Sequence, residues 1–418
     1  MRTPTSSRAT VPGSSRSTPT SVASAIAPRP TALRCAACRM VGRGSTRRGS
    51  CKSVERLTPP RELQESQHMS DMFRQPVTGA RAWRSADFAG ESAWLTTIDA
   101  AGVEVLAAAA AVLPDDPHGW TNVDAGDVIT DSVADTIGGL AHDLWRGRGF
   151  FWLRGLPSDE PELLRRLFWV IGNNLGVPTM QNKRGQVLSE VFDRFEGAER
   201  VVDTRGYESS DELTFHCDGG DSIGLACVRS APVGGQNGLV SMAAIYNELL
   251  QAQPEHLDVL EHGFGLYSRR EASSDGGTSA GGVSDRRLPS FAWNTDAGDE
   301  PCFSAWMNRR LAELNAEMSG TPFTEAEQAA LDAVDEIAER PSMQLQATQQ
   351  PGDVVWVNNL AVMHRREGYV DHDDPAQRRL LYRMWLNDRE PAAVIAEHAM
   401  LRAGIRGPEP TIGADSAA

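Results

Sequence analysis

The sequence predicts a mainly β protein with flanking helices, built as a sandwich or barrel, and three observations predict it. The middle of the chain breaks into short apolar runs at 187–192, 213–218, 222–229 and 239–243, each closed by Gly, Pro, Asn or Asp. Further runs of the same kind follow at 342–348, 353–358 and 379–387, with Pro351-Gly352-Asp353 as the tight turn between two of them. Between and before these runs lie stretches with helical spacing that are able to cover the faces of a sheet.

Taken in order, residues 1–68 contain no Phe, Trp or Tyr and are dominated by Ser, Thr, Pro, Arg and Ala. Such a segment buries too little apolar surface to offset the entropy of ordering, so disorder is expected. Its basic, acid-poor character suits an organelle transit peptide, whereas Met69 suits a start codon placed too far upstream, which is the preferred reading. A domain is expected over 69–395, followed by a C-terminal tail at 396–418, with the first packing anchors in Arg81-Ala-Trp-Arg-Ser-Ala-Asp-Phe88. Helices are predicted at 99–113 and 131–147, and a buried strand at Gly149-Phe-Phe-Trp-Leu-Arg154, closed by Gly155 and Pro157. Residues 160–175 place Leu163, Leu164, Leu167, Phe168 and Ile171 on one helical stripe. The Gly- and Ser-rich stretch 269–286 reads as a long loop, either a lid over an active site or a plain linker. Two helices are predicted at 304–318 and 324–339, the second entered through Thr324 with Glu327 at capping-box spacing.

Charge and cysteines narrow the function classes. The formal net charge is −15, yet residues 1–68 hold 12 Lys+Arg against 3 Asp+Glu, which leaves 29 against 53 for the rest. An acidic body argues against sequence-independent binding of nucleic acid, where Lys and Arg must neutralise phosphates. No apolar run is long enough for a membrane helix, and the six scattered cysteines form no disulfide framework, so a cytoplasmic protein acting on a small molecule is expected, as a monomer or an oligomer. Cys35, Cys38, Cys51 and His68 lack flanking elements to hold them as a zinc site.

The chemistry centres on Thr214-Phe-His-Cys-Asp218. In a strand, residues two apart share a face, so His216 and Asp218 offer an imidazole and a carboxylate side by side. His364, delivered after a hydrophobic strand and an Asn-Asn turn, supplies a third donor. Two histidines and one carboxylate on one face of an iron leave coordination positions open for a chelating cosubstrate and dioxygen. Fifteen residues after His364, the run Gln377-Arg-Arg-Leu-Leu-Tyr-Arg-Met-Trp-Leu386 places Arg379 and Arg383 on one strand face among apolar neighbours. Their forks suit carboxylates, although neutralising the nearby Asp371, Asp373, Asp374 and Asp388 is an alternative. The same three donors could also hold zinc and activate water, or serve a silent metabolite-binding protein. Gln181, Tyr207 and Glu212 are candidate contacts to a polar or amino-acid-like substrate.

From Trp83 to Asp388 the sequence resembles the TauD/TfdA group of iron(II)/2-oxoglutarate dioxygenases. The resemblance is carried by Ala82-Trp83-Arg84, Phe151-Trp-Leu-Arg-Gly-Leu-Pro157, Phe215-His-Cys-Asp218, Gly234-Gly235, Asn358-Asn359 with His364 and Arg366, and the closing Arg-rich strand. It implies a double-stranded β-helix, or jelly roll, with iron(II), 2-oxoglutarate and O2 as cofactor and cosubstrates. It implies further that His216, Asp218 and His364 ligate iron, that Arg379 grips the distal carboxylate of 2-oxoglutarate, and that Arg383 lies near substrate or cosubstrate. The family's Ser or Thr after the Gly-Gly pair is Asn237 here. The retained Asp218 implies hydroxylation or another oxidative outcome rather than halogenation.

Overall fold

The computed structural model describes residues 73–182, 184–195, 206–267, 282–298, 300–405 and 410–413. The expectations for 1–68, for the Cys35, Cys38, Cys51 and His68 cluster, and for most of the 269–286 loop lie outside the described residues.

Two sheets form the core of the fold. The larger runs in the order Leu95–Thr97, Phe150–Arg154, Val354–Asn358, Ser222–Arg229, Leu380–Asn387, Gln186–Val191 and Thr411–Ile412, with Val177–Thr179 also paired to Leu380–Asn387. The smaller runs Gln344–Ala347, Asn237–Ser241, Val362–Arg366 and Leu213–His216, all antiparallel. Neighbours in space are far apart in the chain, which is the topology of a jelly roll.

Period-two alternation decides what each strand offers to each side. In Phe150–Arg154, Phe151 and Leu153 join the outer cluster while Phe150 and Trp152 point between the sheets. Val354 and Trp356 likewise point outward, and Val355 and Val357 inward. A strand buried on both faces must be apolar at every position, which explains the unbroken Phe-Phe-Trp-Leu and Val-Val-Trp-Val runs. Helices Ala100–Ala110, Asp131–Trp145 and Pro161–Leu175 cover the outer face of the larger sheet. The first two are capped by Asp99 and Thr130, whose side chains accept from Gly102 and Val133 backbone N–H groups, relieving unsatisfied donors at the helix start. Trp83 is buried edge-on against Phe88 and Phe150 and donates its indole N–H to the Arg148 carbonyl, but packing starts before these anchors, because Val77 joins the second core cluster and Arg74 pairs with Glu261.

The outer face of the smaller sheet carries a second helical layer, Met242–Ala252, Leu257–His262, Arg309–Ser319 and Glu325–Ala338. The Thr324–Glu327 capping box is formed. Two sequence readings are corrected in this layer. The run 239–243 is a strand that ends at Ser241, whose hydroxyl then caps the helix Met242–Ala252 by accepting from Ala244 N–H. The helix expected from 304 starts at Arg309, because Cys302–Ala305 pairs as a strand with Phe291–Asn294 and Asn308 supplies the cap. Beyond 395, where the sequence suggests a tail, Ala396–Ala403 folds into two short helical turns and Thr411–Ile412 adds a parallel strand to the larger sheet. No helix among the described residues is long and apolar enough to cross a membrane.

Candidate active site

His216 and His364 sit opposite each other in adjacent strands of the smaller sheet, and their rings lie 4.4 Å apart between centroids. The alternation that sends Phe215 and Met363 into the outer helical layer turns both imidazoles inward. His216 Nδ1 lies 2.7 Å from the Thr214 carbonyl, which only accepts, so Nδ1 carries the proton and the Nε2 lone pair is free for a metal. Burial and the neighbouring His216 push the His364 pKa down to about 3, so this imidazole is neutral, as a ligand must be. Its Nδ1 is buried with no hydrogen-bond partner among the described residues.

Asp218 follows two residues after the strand, with one carboxylate oxygen 3.8 Å from His216 Nε2 and the other accepting from Trp385 Nε1 at 3.1 Å. Burial works to raise its pKa, but Arg383, His216, His364 and the Trp385 bond outweigh this and hold it below the ordinary value. The three side chains each present a donor atom within 4.8 Å of the others. The chain leaves the site through Gly219, where a Cβ would press to 2.7 Å from the Trp385 ring, and Gly220 at φ +73°. Asn359, fully buried, clamps this turn: its Oδ1 accepts from Asp218 N–H at 3.1 Å, its Nδ2 donates to the Gly219 carbonyl at 3.1 Å, and its own N–H reaches the Asp221 carbonyl at 2.9 Å.

The three donors open onto a cavity of about 1200 Å³ that also contains Arg379 and Arg383. Both arginines are buried, at 6% and 3% exposure. Arg383 donates Nε to Gln181 Oε1 at 2.5 Å and stacks 3.7 Å over the Tyr207 ring, while its Nη2 is buried without a hydrogen-bond partner. Arg379 lies beside Gly235 and 4.9 Å over the Tyr369 ring, and its Nη1 is likewise unanswered among the described residues. Asp218 lies 3.8 Å from Arg383 Nη1 and meets part of that charge, but Arg383 Nη2 and Arg379 Nη1 remain open donors among the described residues, and buried open donors suit carboxylates entering the cavity. The carboxylates near Arg379 in sequence do not fill this role: Asp371 accepts from its backbone N–H.

Tyr207, Glu212 and Asn237 line the cavity as expected. Gln181 does not: it is fully buried behind Arg383, donating to the Val187 and Arg383 carbonyls and accepting from Arg383 Nε, so it orients the arginine instead of facing the cavity. Arg366 also lines the cavity, and its Nη2 donates to the Ser209 and Asp211 carbonyls, holding the segment that carries Tyr207 and Glu212. Sequence reasoning missed Trp385, although counting by twos from Arg383 would have found it. It also missed Leu401 and Ile405, cavity residues from the C-terminal segment for which no local signal exists.

Residues 117–385 match the family described as Taurine catabolism dioxygenase TauD, TfdA family. FR-33289 synthase of Streptomyces rubellomurinus is 28% identical over 324 residues, spanning 76% of this chain and 92% of that protein. A taurine hydroxylase-like protein of Stachybotrys chartarum is 26% identical over 350 residues, spanning 74% of this chain and 80% of its own length. Among solved structures, an asparagine oxygenase in complex with Fe(II), 3-hydroxyasparagine and succinate superposes with a TM-score of 0.53 at 18% identity, covering 71% of this chain and 94% of that one. The non-heme iron oxygenase OrfP, in complex with (3S)-hydroxy-L-Arg, gives 0.50 at 16% identity, covering 70% and 93%.

Proposed function

The chain belongs to the TauD/TfdA family of iron(II)- and 2-oxoglutarate-dependent dioxygenases, and on that premise we propose that His216, Asp218 and His364 hold the iron while Arg379 receives the distal carboxylate of 2-oxoglutarate. The observation that carries this reading is the meeting, in one cavity, of three metal-donor side chains and two buried guanidinium groups with unanswered donors. Two imidazole nitrogens and one carboxylate suit a divalent iron that keeps positions open. When bound, iron(II) with 2-oxoglutarate and dioxygen supplies the oxidising equivalents that turn a C–H bond into C–OH, 2-oxoglutarate leaving as succinate and carbon dioxide.

The chain's own residues bind and orient. Arg379 answers a carboxylate with its planar fork, and Asn237, from the smaller sheet, adds a hydrogen-bond donor to the same cavity. Arg383, fixed from behind by Gln181 and from one face by Tyr207, presents Nη2 to a carboxylate of substrate or cosubstrate. Trp385 and Asn359 hold Asp218 so that one oxygen faces the two imidazoles. Leu225, Ile223, Trp306 and Leu401 give the cavity apolar walls that limit water near the reacting carbon.

The substrate in this reading is a small amino-acid-like molecule, with Tyr207 and Glu212 as its polar contacts; enzymes of the same fold solved with hydroxyasparagine and hydroxyarginine support that class. The test is an anaerobic titration of the protein with iron(II) and then 2-oxoglutarate, followed by aerobic succinate release with asparagine, arginine, taurine and related metabolites. A visible charge-transfer band on chelation of the keto acid, lost in His216→Ala and Asp218→Ala, is the expected result. Iron binding with no such band overturns the ligand assignment, and a band without succinate release from any amino-acid-like compound overturns the substrate class.

A further inference from the structure

The family match ends at residue 385, yet the chain beyond it reaches back to the loop that carries Asp218. Leu401, Gly404 and Ile405 line the cavity. Two contacts tie this segment to the loop. Gly220 N–H donates to the Leu401 carbonyl at 3.1 Å, and Arg402 Nε donates to both carboxylate oxygens of Asp221 at 2.9 Å. Asp221 is 3% exposed and also accepts from Asp388 N–H at 3.0 Å, while its carbonyl receives the Asn359 N–H. Asn359 in turn holds the Asp218 N–H. Arg402 is itself pinned, with Nη2 donating to the Ala392 carbonyl and its own carbonyl accepting from Asn387 Nδ2. The segment is anchored upstream by His398, whose ring nitrogens meet Ser304 Oγ and the Pro289 carbonyl, each at 2.8 Å.

A loop with two glycines directly after a metal ligand has little stiffness of its own. A carboxylate ligand nevertheless has to be held to within a fraction of an ångström. The stiffness must come from what grips the loop, and here the grip at its far end is the pair formed by buried Asp221 and partly buried Arg402. We propose that Arg402 is a positioning residue for the metal centre, holding the loop 218–221 through Asp221 so that the C-terminal segment completes the iron site. This rests on the reading of His216, Asp218 and His364 as iron ligands. Removing the guanidinium leaves Asp221 buried without its cation, and the loop must shift or take in water.

The experiment compares Arg402→Met, Arg402→Lys and Arg154→Met with the parent. Arg154 makes a similar bidentate pair, with Asp353, and so reports the cost of losing such a pair away from the loop. Iron(II) affinity is read anaerobically from the band with 2-oxoglutarate, and stability from thermal unfolding of the metal-free protein. Arg402→Met is expected to raise the iron(II) Kd about tenfold to a hundredfold, the usual effect of losing a residue that supports a ligand. Arg402→Lys, which keeps the charge but not the fork, is expected between Arg402→Met and the parent. Arg154→Met is expected to lower the melting temperature with the Kd unchanged. A parent-like Kd in Arg402→Met overturns the proposal. If that variant does not fold, Arg402→Lys decides: a Kd raised about threefold or more supports the proposal and an unchanged one overturns it. A parent protein with no band refutes the iron-ligand reading and this inference with it, whereas a parent with a normal band and an indifferent Arg402→Met refutes the inference alone.

Discussion

Replacing Arg379 by Met should separate binding of the cosubstrate from stability of the fold in opposite directions. The guanidinium is 6% exposed, its Nη1 has no hydrogen-bond partner among the described residues, and burial pulls its pKa down, with Tyr369 opposing. It remains cationic, because arginine starts far above neutral pH. A fork meeting a carboxylate makes two charge-assisted hydrogen bonds, each contributing roughly 1.5–3 kcal/mol, so about 3–6 kcal/mol in all. At about 1.4 kcal/mol per decade, the 2-oxoglutarate Kd of Arg379→Met should rise by roughly a hundredfold to ten-thousandfold. The same substitution removes a buried charge that lacks an anion in the ligand-free protein, and Met fills a similar volume. The melting temperature of the metal-free variant should therefore be unchanged or higher. Anaerobic titration of 2-oxoglutarate into the iron(II) protein measures the first effect and calorimetry the second. A variant that melts well below the parent while binding 2-oxoglutarate normally would show that Arg379 serves the fold, and the reasoning would be refuted.

Other outcomes follow from the same geometry. His216→Ala and His364→Ala should each abolish iron-dependent succinate formation while shifting the urea midpoint by less than about 1 kcal/mol of stability, because both rings face an open cavity and His364 Nδ1 leaves no partner behind. Unfolding in either variant under conditions where the parent is folded would show that the pair holds the sheets together. Asp353→Ala removes a fully buried carboxylate that accepts from Arg154 Nε and Nη2 at 2.8 Å, and from Trp152 Nε1 and the Gln350 N–H at 3.0 Å, so a loss of about 3–5 kcal/mol is expected in denaturant unfolding. A loss below about 1 kcal/mol would contradict it. His398 contributes to the pH dependence alongside His364: burial lowers its pKa from 6.5 to about 4, so the folded protein keeps it neutral where the unfolded chain binds a proton. Its contribution is complete above pH 6.5 and is lost as pH falls towards 4, by about 3 kcal/mol, and His398→Gln should flatten that part of the stability–pH curve. Equal slopes in parent and variant would show that other groups set the dependence.

The sequence by itself determined which side chains face which way along each strand, because alternation is a property of the extended backbone and needs no partner. That is why His216 with Asp218, and Arg379 with Arg383, were legible as pairs sharing a strand face, whereas joining them with His364 in one site came from the family resemblance; the unbroken apolar run is what made Phe150–Arg154 legible as a buried strand. Local signals also found the Thr324 cap and the Trp83 anchor. They failed where a contact from elsewhere overrides local spacing: Cys302–Ala305 has the apolar character of a helix start but is drawn into pairing with Phe291–Asn294. Only the tertiary structure decided that Gln181 stands behind Arg383, that Asn359 grips the turn after Asp218, and that Arg402 reaches Asp221 across 181 residues. These are hydrogen bonds between polar side chains on irregular segments, whose directions follow no period. A repeating backbone writes its geometry into the residue pattern; a single long-range bond leaves no pattern to read until the chain is folded.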